Sequence, residues 1–178
     1  MYFCYALHNF QPPSERLFYQ NTRMKADKTV DFHIKTGWHA ISRMYNAYAA
    51  QFDMTMAIGY VLLNIDKHGT PATKIAPALG LEPRSLTRML KALEEKGWIR
   101  RIADDNDKRI VNVFLTDEGK RKRDLARRGV LDFNNNVYGQ VNEEKLAVFF
   151  EVMQTISKVV EQETNATKMS QNLAQVEW

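Results

Sequence analysis

"SLTRMLKALEEKGWIRR" (85–101), with "DDNDKR" (104–109) and "VNVFLTDEGK" (111–120) close behind it, sets the architecture of this chain. Leu86, Met89, Leu90 and Leu93 fall on one side of a helix, while Arg84, Ser85, Thr87, Arg88 and Lys91 fall on the opposite side. Pro83 is preset for a first helical position and Gly97 for the stop. "WIRRIA" (98–103) and "IVNVFLT" (110–116) are β-branched, partly alternating runs, so they predict a two-stranded hairpin with the charged hexapeptide at its tip.

Upstream, "PATKIAPALG" (71–80) predicts a short helix capped by Thr70, opened by Pro71, stopped by Gly80 and distorted by Pro77. Two helices joined by a tight glycine-containing turn, the second basic on its outer face, make a helix-turn-helix. Before them, Asp53 or Thr55 can cap a helix carrying Ile58, Val61, Leu62 and Ile65, with Gly69 ending it in the left-handed conformation. Ile34, Trp38, Ile41, Tyr45, Tyr48 and Phe52 recur at steps of three and four, the stripe of a long amphipathic first helix.

Downstream, Thr116 is the expected cap of a further helix, with Asp117 and Glu118 at its positive dipole end. Asn142 is expected to cap a last one, in which Leu146, Phe149, Met153, Ile156 and Val160 keep heptad spacing. The polar stretch from about Thr164 to 178 reads as a fraying tail. Residues 1–29 read as a leader, with Met24 expected to be the native start and 1–23 translated upstream sequence or an arm.

Composition narrows the function. The 178 residues, 44% hydrophobic, suffice for one domain with helical extensions. No apolar run approaches the roughly 18–20 residues of a membrane span, and the leader lacks the basic and apolar regions of a signal peptide. One cysteine, Cys4, excludes an internal disulfide framework or a cysteine-rich zinc site and suits the cytoplasm. The net charge is +4, but residues 84–128 hold 14 Lys/Arg against 8 Asp/Glu, and the rest of the chain holds 11 against 13. A local basic excess is the footprint of a nucleic-acid face.

Over about residues 30–163 the chain resembles the MarR family of bacterial transcription regulators. The family's pattern of Asp-Pro-x-Asp-Arg-Arg followed by a strand ending Leu-Thr-x-x-Gly is matched by Asp104, Asp107, Arg109, Leu115, Thr116 and Gly119. It is departed from at Asp105, where Pro is usual, which should loosen the turn, and at Lys108, where Arg is common. The resemblance implies a mainly α fold with a small β-wing, a winged helix-turn-helix flanked by N- and C-terminal dimerisation helices. On it, 53–116 forms the DNA-binding lobe, and 30–52 with 117–163 the dimerisation helices. It also implies a homodimer on double-stranded DNA, more a repressor than an activator, reading a pseudo-palindromic operator.

The chemistry agrees. Residues near the N-terminus of a major-groove helix reach base edges, which makes Arg84, Ser85, Thr87 and Arg88 the candidates for base contact and Lys91 for phosphate. A hairpin tip beside such a helix reaches the adjacent minor groove, where Arg109 is the candidate probe, flanked by Lys108. The resemblance implies that Asp107 holds a nearby arginine in position while Arg109 points into the groove. A calcium loop at 104–116 fails, because neither register has Gly at the sixth position and Glu at the twelfth.

MarR-like proteins commonly lose DNA affinity on binding small anionic or amphipathic effectors. Trp38, His39, Tyr45, Tyr60 and His68 are the candidates to line such a cleft, for an apolar carboxylate or phenolic effector, although aromatics at helical spacing also fit an ordinary core. The four histidines and the cysteine have no nucleophile–base or metal-ligand spacing, and there is no glycine-rich phosphate loop, so neither enzyme nor cofactor is implied. A nonspecific architectural DNA binder and a winged-helix protein-interaction module are the alternatives.

Overall fold

A computed structural model describes residues 25–104 and 107–174. These residues fall into two compact units, one through Met56 and the other from Ala57 onward.

In the first unit, a short 3-10 turn at Ala26–Lys28 precedes helix α1, Val30–Ala50. Thr29 caps α1, its hydroxyl oxygen accepting from the Phe32 amide at 3.4 Å. The predicted stripe lies on this helix as far as Tyr48, but Phe52 falls beyond its end, because the chain turns at Gln51 and Asp53 adopts φ 59°. Phe52 still meets Tyr48 edge-on, with ring centroids 5.3 Å apart, so the period outlives the helix that carried it.

Helix α2, Met56–Leu63, has Thr55 before it, and the Met56 amide donates to the Asn46 side-chain oxygen at 3.0 Å. It ends six residues ahead of Gly69, so that glycine is not its C-terminal residue. Gly69 has φ +88°, and a Cβ there would lie 2.5 Å from the Phe114 ring; close approach, not helix termination, requires it.

Thr70–Pro71 is a strand, β1, and not a helix cap. It pairs antiparallel with residues 112 and 113, and the Thr70 hydroxyl accepts from the Asp66 amide at 2.9 Å. Helix α3, Ala72–Ala78, follows with Pro71 at its N-cap, and it ends one residue past Pro77. Gly80, φ +60°, makes the turn into α4, Pro83–Glu95. The hairpin is β2, Ile99–Ala103, and β3, Val111–Leu115, in register Ile99↔Leu115 to Ala103↔Val111, which completes a three-stranded sheet of order β1-β3-β2. Val61, Leu62, Ile65, Ile75, Leu86, Leu90, Leu93, Ile99 and Val113 form the buried core of this unit.

Helix α5, Asp117–Tyr138, starts at Thr116, whose hydroxyl accepts from the Gly119 amide at 3.1 Å and donates to the Gly97 carbonyl at 2.7 Å. Asn142 caps the last helix, α6, Glu143–Ala174, accepting from the Lys145 amide at 3.0 Å. The expected fraying from Thr164 is not seen. That stretch lacks Gly and Pro as far as Ala174, so nothing in it breaks the helix, and the Thr164 and Thr167 hydroxyls are satisfied by the Val160 and Glu163 carbonyls. Met24 as the native start, the loosened turn at Asp105 and the leader up to residue 24 concern positions outside the described residues.

Candidate nucleic-acid interface

Helix α4 is amphipathic in the strict sense. Leu86, Leu90 and Leu93 are buried, while Arg84, Ser85, Thr87, Arg88 and Lys91 are exposed on the far side. Pro83 stands at its first position, and the Glu82 carbonyl takes the Ser85 amide at 2.9 Å. No acidic side chain occupies the first turn, so the positive end of the helix dipole lies beside two arginines.

Among the described residues, neither Arg84 nor Arg88 has an ion-pair partner. Both are therefore available to an external acceptor. Thr87 donates its hydroxyl proton to the Pro83 carbonyl at 2.9 Å, which leaves its oxygen to accept. Lys91 stands 3.9 Å from Glu95 with both side chains largely in solvent, a pair that is worth little and that a phosphate can displace.

The wing is tied to this helix by a contact absent from the sequence expectations. Glu94 of α4 accepts from the Arg101 backbone amide at 3.0 Å and from its Nε at 2.8 Å. These bonds hold the Glu94 carboxyl below its ordinary value. They also point Arg101 toward α4.

At the tip, each described acid has a task. Asp104 accepts from the Asn112 side chain at 3.1 Å and from the Asp107 amide at 3.3 Å. Asp107 accepts from the Arg109 amide at 3.0 Å and grips its guanidinium with both oxygens, at 3.0 and 3.2 Å. The Arg109 side chain and amide lower the Asp107 pKa. The arginine that Asp107 holds is thus Arg109 itself, and its side chain remains 92% exposed while held. Lys108 is exposed beside it.

The effector candidates are divided between the two units. Trp38 and His39 are exposed and Tyr45 is buried on α1, whereas Tyr60 is half-buried on α2, where burial pushes its phenol up. His68 is exposed in the loop before β1.

A helix-turn-helix with exposed arginines on its second helix, beside a hairpin that presents a braced arginine, has the architecture of a winged helix-turn-helix. The chain belongs to the MarR family, whose model matches residues 55–111. It is 32% identical over 113 residues to the uncharacterized HTH-type transcriptional regulator YfiV of Bacillus subtilis, covering 62% of this chain and 70% of YfiV. It is 35% identical over 95 residues to the HTH-type transcriptional regulator TtmR of Methylorubrum extorquens, covering 53% of this chain and 49% of TtmR, so that it spans about half of that relative. Its fold is similar to that of a mutant MarR from E. coli complexed with operator DNA, with TM-score 0.62 and 26% identity over 69% of this chain and 89% of that one.

Proposed function

We infer that this protein is a sequence-specific DNA-binding transcriptional regulator, acting in the cytoplasm as a homodimer and as a ligand-responsive repressor, with no enzymatic activity. The observation that carries the reading is the pair of exposed arginines, Arg84 and Arg88, standing without carboxylate partners among the described residues on a helix next to the braced Arg109. These are held ready for guanine edges or phosphates, and a bidentate guanine contact discriminates by about 1–3 kcal/mol. The likeness to a MarR complexed with operator DNA supports the same reading.

Dimerisation is supported by apolar surface. Val148, Phe149, Phe150, Val152, Val159 and Val160 on α6 are each about half exposed, far more than a solvated helix retains singly. A twofold pair would set two recognition helices roughly 34 Å apart and call for a pseudo-palindromic site. Trp38, His39 and Tyr45 of the first unit, and separately Tyr60 of the second, are the aromatic candidates for contact with an apolar carboxylate or phenolic effector.

Fluorescence anisotropy at physiological salt tests the reading, comparing a duplex from immediately upstream of codon 24 with its scrambled counterpart. A preference of about a thousandfold or more is expected. Equal, salt-sensitive affinity for both would favour a nonspecific binder or an operator elsewhere, and no affinity for either would bring the interaction-module reading to the front.

A further inference from the structure

A second basic feature lies away from α4. In β2, Arg101 is drawn to the α4 side by Glu94, so strand alternation turns its neighbour Arg100 to the other face of the sheet, together with its cross-strand partner Phe114. An open pocket of about 460 Å³ lies there, within the size range of small-molecule sites. Lys67, from the loop before β1, and Lys120 and Arg123, from the first turns of α5, line it with Arg100. Phe114, seated against Gly69, supplies an apolar wall.

The charges are unbalanced in a way that favours a guest. Among the described residues, Lys67 and Arg100 make no ion pair. Lys120 is paired with Asp117 at 2.8 Å with both side chains largely exposed, and Arg123, half-buried, makes only a long contact of 3.4 Å with the exposed Asp124. Such pairs contribute at most about 1 kcal/mol, so an incoming anion exchanges with them at little cost. Asp66 is the one acid in the lining, against four cations. The surrounding field already acts on Asp117, whose pKa is lowered chiefly by Lys120 and further by Arg121 and Arg100.

We propose that this pocket binds a small organic phosphate, its dianionic head between Lys67, Arg100, Lys120 and Arg123 and its apolar body against Phe114. A DNA backbone fits the position poorly. Arg100 pairs with Phe114 three register steps from Ala103↔Val111, roughly 10 Å down the hairpin from the tip, and on the sheet face turned away from the recognition helix. The site stands whether or not α4 reads DNA.

The test is calorimetric titration of the full-length protein with phenyl phosphate at low salt, beside inorganic phosphate. Phenyl phosphate should bind saturably, one per chain, and at least tenfold more tightly than inorganic phosphate. Lys67→Ala and Arg100→Ala should each weaken it at least tenfold, with the far-UV spectrum and melting temperature of each variant checked, and Arg88→Ala should leave it unchanged. Absence of saturable binding, equal affinity for inorganic phosphate, or binding unaltered in both Lys67→Ala and Arg100→Ala would each overturn the proposal. Loss of DNA affinity in Arg100→Ala, with a salt slope smaller by about one and no phenyl phosphate binding to the wild type, would reassign the patch to DNA.

Discussion

Replacing Gly119 with alanine should destabilise this protein, against what helix propensity alone predicts. Gly119 is the third residue of α5, and glycine in a helix interior ordinarily costs about 0.8–1.0 kcal/mol relative to alanine. Here a Cβ would overlap the Trp98 carbonyl oxygen, come 2.9 Å from its carbon and lie 3.2 Å from Leu115 Cδ2. That carbonyl accepts the Thr116 amide at 3.0 Å, and the Thr116 hydroxyl accepts the Gly119 amide, so the methyl enters where strand and helix are joined. Backbone cannot rotate out of the way as a side chain would. Overpacking costs about 1–3 kcal/mol, loss of the Thr116 amide bond about 0.5–1.5 and of the cap about 0.5–2. Less the propensity gain, the net loss is about 1–5.5 kcal/mol. Urea unfolding followed by far-UV circular dichroism reads this directly. With a slope of about 1–3 kcal/mol per molar, the midpoint should fall by at least about 0.3 M and, for the middle of that range, by on the order of 1 M. A midpoint unchanged or raised would refute the steric account of why the Leu-Thr-x-x-Gly pattern ends in glycine.

Gly37→Ala is the opposite case: it lies within α1 with nothing within 4 Å of a new Cβ, so it should raise the same midpoint by the equivalent of about 0.5–1 kcal/mol. Arg109→Ala should weaken DNA binding and reduce the slope of log affinity against log salt by about one, measured by anisotropy from 50 to 300 mM salt on the order usual for such titrations. Asp107→Ala should also weaken binding, although it removes a negative charge near the phosphates, because it frees the guanidinium and the amide that the carboxylate holds; tighter binding would show that Asp107 acts only as a repelling charge. Glu94 has a folded pKa below its ordinary 4.5, so its pairing with Arg101 stabilises the fold above that value and is lost as pH falls through the lowered one. Thermal melts at several pH values should therefore show Glu94→Gln less stable than wild type at neutral pH and the two converging in acid, and parallel curves would exclude the pair from stability.

What the sequence made legible, and what it hid, divides by the distance to the deciding partner. The Thr116 and Asn142 caps act on amides three residues away, and the α4 faces follow from a 3.6-residue period, so each can be read in a short window. Thr70-Pro71 carries equally good local signals for a helix start, yet it is a strand because β3, some forty residues later, pairs with it. Gly69 has the look of a helix stop, and the ring of Phe114 is the actual reason for it. The Glu94–Arg101 bond is likewise invisible to any helix or strand pattern, since it links one to the other across the Gly97 turn. In the interface the same division has a functional consequence. The arginines on α4 were legible because a helix face is a local property, but their usefulness depends on having no partner, which only the fold determines. Arg109 has the reverse history: its type and place at a hairpin tip pointed to a groove, and the fold adds that Asp107 presets its guanidinium. A held arginine loses less side-chain freedom on binding than a free one, where a long side chain otherwise gives up on the order of 0.5–1.5 kcal/mol. On the DNA-binding reading proposed above, Asp107 therefore serves binding through order, although by charge alone it opposes it.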